Sequence, residues 1–172
     1  MADPEVEILA GEVPEAAQLE DLYGSVGWTA YTGDPARLHR AVAGSFAVAT
    51  AWASDSAPRA DGADGADRAD RADRADGGRR LVGLARILSD GETIAYLQDV
   101  LVRPELHRRG IARRLVEEVL APVRQVRQRV LLTDSEPGQR AFYEALGFTE
   151  VRDVSPTGLR AFVSLEPTPP EA

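Results

Sequence analysis

The residues with the clearest chemistry lie between Ile94 and Arg114. Val100, Leu101 and Val102 suit a buried strand, and Pro104 ends it because proline has no N–H for a ladder. Gly110 permits a tight turn and a close approach of the backbone to a ligand. Ile111, Leu115, Val119 and Leu120 then recur at helical spacing. A strand that enters a helix through such a loop aims several N–H groups at one spot, and the helix dipole favours an anion there. Arg103, Arg108, Arg109, Arg113 and Arg114 surround that spot, against one acid, Glu105. The chemistry expected is capture of a pyrophosphate. Two other phosphate loops are set aside. A Walker loop needs a lysine, which the chain lacks, and a dinucleotide fingerprint needs three spaced glycines where only Gly110 stands. The plain alternative is a solvated basic helix start after an ordinary strand.

The spacing also resembles motif A of the GNAT acetyltransferase superfamily, V-x-P-x-x-[Q/R]-x-x-G-x-[G/A]. Val102, Pro104, Gly110 and Ala112 stand at the matching positions, and His107 replaces the usual Gln or Arg. Further on, R-A-F-Y-E-A-L-G-F from Arg140 to Phe148 resembles the family's motif B, with Glu136 where an Asn is often found. The resemblance implies direct transfer of the acetyl group of acetyl-CoA to a primary amine, on a small molecule or a peptide N-terminus. It implies that His107, Arg108, Arg109, Gly110, Ile111, Ala112 and Arg113 hold the pyrophosphate. Val100 and Val102 would offer backbone contacts to pantetheine, with the Val100 N–H as a donor to the thioester oxygen. Tyr143 maps onto the family's general acid, which protonates the leaving thiolate. No cysteine or serine nucleophile is required.

The family has no single position for the general base. Asp99 is the first candidate, from its closeness in sequence to the thioester contacts, and its alternative is a carboxylate paired with Arg86 or another arginine. Asp134, Glu92 and a water chain remain open. Tyr96 and Gln98 share a strand face and are candidates for lining the acceptor site. Trp28 and Tyr31 lie in a segment that often covers the acceptor in the family, and they pack either on the amine or on the domain itself. Arg86 would meet an acceptor carboxylate or pair with Asp99. A non-catalytic acyl-CoA-binding sensor is the alternative function.

Composition bounds these readings. The 172 residues suffice for one domain with a sizeable core. There is no cysteine, hence no disulfide and no thiolate ligand. Two histidines, His39 and His107, are too few for a convincing metal site, and none is expected. A net charge of −8 argues against a nucleic-acid binder. The acidic start lacks a signal-peptide pattern, and no apolar run reaches transmembrane length. A cytoplasmic protein without membrane partners is expected, and a homodimer is left open.

The elements that must position these residues follow from local signals. Val6 and Ile8 begin a strand, and Pro14 opens a helix to about Leu22. Asp34-Pro35 starts a second helix, stopped at Gly44. Phe46–Trp52 and Leu81–Leu88 read as strands. Between them, six A-D-x triplets offer almost nothing to bury, so 54–78 is expected to be a disordered insertion. Ser89-Asp90-Gly91-Glu92 signals a hairpin turn into Ile94–Val102. The helix after Gly110 should end or kink at Pro122. Val130–Thr133 reads as a central strand, Pro137 opens a helix that Gly147 closes, and Phe148–Val154 and Leu159–Leu165 read as two more strands. The tail, 166–172, is expected to be loose. The sum is one α/β domain over 1–172, GNAT-like, with a mixed central sheet of about seven strands and helices on both faces.

Overall fold

The computed structural model describes residues 4–54, 78–156 and 158–165. The chain divides into two compact units, Met1–Leu132 and Thr133–Ala172. The expected insertion, apart from its end residues Ser54 and Gly78, and the expected loose tail at 166–172 lie outside the described residues.

The first unit is built on a sheet of five strands in the order β1-β2-β3-β4-β5. These are β1 (Val6–Ala10), β2 (Ala47–Ser54), β3 (Arg79–Ser89), β4 (Ile94–Val102) and β5 (Gln128–Leu131). The first three pairings are antiparallel and the last, β4 with β5, is parallel. Ser54 pairs with Arg79, so the A-D-x repeat joins the neighbouring ends of two paired strands.

Helices cover both faces of this sheet. On one side lie α1 (Ala16–Ser25), the single turn α2 (Thr29–Thr32) and α3 (Pro35–Ala43). Leu19, Leu22, Tyr23, Leu38 and Val42 from these helices bury against Val48, Trp52, Leu81, Leu84 and Leu101 of the sheet. The signals read in the sequence act here as expected. Asp34 Oδ1 accepts the Arg37 N–H at 2.9 Å, which satisfies a first-turn donor of α3. On the other side lies α4 (Ile111–Leu120), followed by a 3₁₀ turn at Ala121–Val123 around Pro122. Ile111, Leu115, Val116, Val119 and Leu120 form its buried face. Gly83 marks how tightly α4 is seated: a Cβ there would fall 3.0 Å from both Leu115 Cδ1 and the Leu101 carbonyl. Gly83 faces α4 while Leu84 faces α1 and α3, so these neighbouring residues of β3 point into opposite layers of the core.

The β3–β4 hairpin turns where the sequence placed it. The Asp90 carboxylate accepts from the N–H groups of Glu92, Thr93 and Ile94 and from the Thr93 hydroxyl. Four donors on one exposed carboxylate hold its pKa well below the usual carboxylate range.

The sheet departs from expectation in two respects. It has five strands among the described residues, not about seven. Phe148–Val154 is no strand: Val151–Asp153 forms a 3₁₀ turn instead. Charge explains this bend, because the Arg140 guanidinium gathers Glu144, Glu150 and Asp153 at 2.7–2.8 Å, and Arg152 pairs with Glu150. Leu159–Leu165 has a strand's composition but no partner strand among the described residues, and Phe162 is 90% exposed. The second correction concerns β5. It lies at the end of the sheet rather than its centre, and Leu132, read as part of a two-sided apolar run, is exposed.

The second unit carries α5 (Pro137–Glu144). Gly147 at φ +87° supplies the left-handed residue that closes such a helix, and the Phe148 N–H donates back to the Tyr143 carbonyl at 3.1 Å.

Candidate active site

β4 pairs with β3 along its length but with β5 only from Ile94 to Leu97. Beyond Leu97 that edge of β4 has no strand partner among the described residues. The ladder with β3 breaks at the same place. Arg86 faces Gln98 and Ala85 faces Val100, which leaves Asp99 as the extra residue of a β-bulge. Asp99 sits at φ +53°, in the left-handed region that aspartate tolerates better than most residues.

The Asp99 side chain is turned inward. Its Oδ2 accepts from Arg86 Nε at 2.6 Å and from the Tyr23 hydroxyl at 2.8 Å, and its Oδ1 accepts from Gln98 Nε2 at 2.7 Å. Side-chain exposure is 1% for Asp99 and 9% for Arg86, so this is a buried ion pair. Arg86 Nη1 also donates to the Ala41 carbonyl and to Ser45 Oγ, each at 3.3 Å. The structure thus shows Asp99 and Arg86 in the paired arrangement, one of the two readings open to each. Both carboxylate oxygens of Asp99 are occupied by hydrogen-bond donors of the protein itself.

Tyr23 is the residue that sequence reasoning missed. A signal was present: Leu19, Leu22, Tyr23 and Val26 share one helical face, and a tyrosine in an apolar stripe needs a buried partner for its hydroxyl. Burial, reinforced by the Asp99 charge beside it, raises the Tyr23 pKa well above the usual range. A raised native pKa has a consequence for stability. Below pH about 10 both native and unfolded chains hold the proton, and above it the unfolded chain ionises first, so stability falls as pH rises. Between pH 9 and 11 the intact protein should lose about 1.4 kcal/mol more than Tyr23→Phe. Urea unfolding of both chains at pH 9, 10 and 11 checks this, and parallel pH dependences would contradict it.

Trp28 and Tyr31 stand against Tyr23. The Tyr23 ring lies 5.9 Å from each, edge to face, and Trp28 and Tyr31 lie 6.2 Å apart. Trp28 packs on the buried cluster, while Tyr31 is 45% exposed. These two therefore form an aromatic wall joined to Asp99 through Tyr23. Tyr96 and Gln98 are half-buried on β4, and Gln98 is engaged with Asp99.

The loop after β4 runs through a 3₁₀ turn, Pro104–Leu106, to Gly110 at the start of α4. Arg108 at φ +61° and Gly110 at φ +74° are both left-handed. As the N-cap, Gly110 offers no side chain to the N–H groups of Ile111 and Ala112, which lie in the first turn beyond the reach of helical carbonyls. A Cβ built on Gly110 meets nothing within 4 Å, so the space at this helix start is open. His107 Nε2 lies 2.7 Å from the Val102 carbonyl. A carbonyl only accepts, so Nε2 carries the proton there and the ring ties the loop back to β4.

Two of the five expected arginines leave this spot. Arg103 turns inward, donating from Nε to the Leu81 carbonyl at 2.9 Å and pairing with Asp21. Arg114 donates to the Val6 carbonyl at 3.2 Å. Arg108, Arg109 and Arg113 stay at the exposed loop and helix start, where Arg113 also pairs with Glu117.

In the second unit, Tyr143 is half-buried between Phe142 and Phe148, with ring centroids 5.0 and 6.0 Å away. Burial, then the nearby Asp134 charge, raises its pKa, while a hydrogen bond with Thr133 opposes the shift.

Residues 72–163 match the acetyltransferase (GNAT) domain family. The chain belongs to the GNAT family. A GNAT-family acetyltransferase from Streptococcus pneumoniae TIGR4 shares the fold with a TM-score of 0.65 and 24% identity, over 94% of this chain and 100% of that one. An aminoglycoside N-acetyltransferase solved in complex with CoA superposes with a TM-score of 0.60 at 16% identity, over 96% of this chain and 97% of that one. An uncharacterized N-acetyltransferase, ycf52 of Porphyra purpurea, is 31% identical over 74 residues, 43% of this chain and 42% of the relative's length. No helix among the described residues of this GNAT chain is long and apolar enough to cross a membrane.

Proposed function

We propose that this chain is an acetyl-CoA-dependent N-acetyltransferase acting on a primary amine, and that its two compact units work as one acetyltransferase domain. The family match supports the latter, since its 72–163 stretch includes residues of both. One observation carries the cofactor reading: the edge of β4 that β5 leaves unpaired leads directly into a helix start whose N-cap is a left-handed glycine facing open space. Such an arrangement suits an extended, amide-bearing arm along the strand and a pyrophosphate at the helix start. Val100 and Val102 would contact the arm. Gly110, Ile111 and Ala112 would present backbone to the pyrophosphate, with His107, Arg108, Arg109 and Arg113 around it.

In the reaction, the neutral amine nitrogen attacks the thioester carbonyl, a C–N bond forms and the C–S bond breaks. The Val100 N–H stabilises the oxyanion. Tyr143 gives its proton to the departing thiolate, a role consistent with a pKa raised by burial. Asp99 is not the base, because one of its oxygens is engaged in a buried ion pair and the other accepts from Gln98. Water, or a carboxylate such as Asp134 or Glu92, takes the amine proton. The acceptor packs on the face offered by Trp28, Tyr31 and Tyr96.

Gly110→Val tests the cofactor reading. The β-branched side chain is strained at φ +74° and fills the space a pyrophosphate would approach. CoA affinity should fall at least about tenfold. Calorimetric titration of both chains with CoA measures this, and an unchanged affinity would remove the loop from the site.

A further inference from the structure

Asp99 joins elements that are far apart in sequence. It stands in the β4 bulge, its ion-pair partner Arg86 stands on β3, and Tyr23 reaches it from α1. Arg86 extends the network to the end of α3 through the Ala41 carbonyl, and to Ser45 just beyond it. Tyr23 in turn touches both rings of the aromatic wall. Among the described residues no buried side-chain polar atom lacks a partner, so this network is closed. Closed buried polar networks fix one geometry, since any other leaves a buried group unsatisfied. The geometry fixed here is a left-handed residue inside a strand, and a bulge of this kind re-aims the peptide group that follows it. That group is the Val100 N–H.

We infer that Asp99 is a positioning residue: held by Arg86 and Tyr23, its carboxylate locks the β4 bulge and so aims the Val100 N–H at the acyl oxygen, while Tyr23 holds the aromatic wall in register with it. This rests on the function proposed above and adds to it the device that aligns the oxyanion donor. It also explains why a carboxylate beside the reacting groups is buried and paired rather than open to an amine.

The test needs no knowledge of the acceptor. The full chain is labelled with ¹⁵N-valine, the Val100 amide is assigned, and acetyl-CoA and CoA are added in turn. The two ligands differ only in the acetyl group, so a further downfield shift of Val100 with acetyl-CoA reports the hydrogen bond to the acyl oxygen. The intact chain should show that extra shift. Asp99→Asn should lose it while CoA affinity, measured by calorimetry, stays unchanged. Tyr23→Phe removes one donor and keeps the ion pair, so it should reduce the extra shift, and it serves as the deciding variant if Asp99→Asn fails to fold. A purely structural role would lower the melting temperature and leave the extra shift intact in folded protein. Persistence of the full shift in the folded variants would overturn the inference. An intact chain that binds both ligands with no difference at Val100 would overturn it too, leaving the CoA reading standing. An intact chain that binds neither would remove both.

Discussion

Tyr143→Phe should lower kcat by about a hundredfold or more while leaving the affinity for acetyl-CoA nearly unchanged, the magnitude usual for loss of a positioned proton donor. The phenyl ring keeps the edge-to-face contacts with Phe142 and Phe148, so the helix end should remain intact. On the proposed mechanism, what is lost is the proton that the thiolate takes as the C–S bond breaks. Burial and the Asp134 charge raise the pKa of the phenol, so it stays protonated beyond pH 10 in the native chain. The alkaline limb of kcat that reports loss of this acid should therefore lie above pH 10 in the intact enzyme and be missing from the variant's residual rate. Steady-state kinetics with an accepting amine, followed by released thiol from pH 7 to 11, decide the matter. A fall in kcat/KM that arises only from a raised KM for acetyl-CoA would mean that Tyr143 binds rather than protonates.

Arg86→Met should cost about 3–5 kcal/mol of stability, because it leaves the Asp99 carboxylate buried without its countercharge. Methionine has a similar reach and fills much of the space of the arginine stem, so the loss is electrostatic more than steric. Removing both charges tells the two apart. In the double variant Arg86→Met with Asp99→Asn, most of the loss should return, since an ion pair replaced whole is often close to neutral. Chemical denaturation of the two single variants and the double variant gives the coupling directly. Additive losses would show that Arg86 and Asp99 stabilise the bulge independently.

The β4–loop–α4 unit was legible because its signals are local. Pro104, Gly110 and the apolar spacing of Ile111, Leu115, Val119 and Leu120 each act within a few residues, and the glycine is used as a left-handed N-cap. The Asp34 cap and the Asp90 turn belong to the same class. The network at the bulge was only half legible. Arg86 and Asp99 lie close in sequence on adjacent strands, so their pairing was one of two readings. Tyr23 reaches Asp99 across 76 residues, and no local pattern names such a partner. Arg103 and Arg114 were counted toward the anion site because sequence spacing does not say which way a side chain turns. In the fold Arg103 finds Asp21 and the Leu81 carbonyl instead. The last two strands were misread for a similar reason. Apolar β-forming residues from Phe148 onward specify a strand only where a neighbour accepts the ladder, and the charges around Arg140 bend Val151–Asp153 into a turn.

On the proposed function, the open edge of β4 and the Gly110 helix start hold acetyl-CoA for transfer to an amine. Calorimetric titration of the full chain with acetyl-CoA, followed in the same sample by a primary-amine library with detection of free thiol, tests it most directly. Saturable binding is expected, with thiol release that depends on one class of amine. A well-folded chain that binds no acetyl-CoA would contradict it.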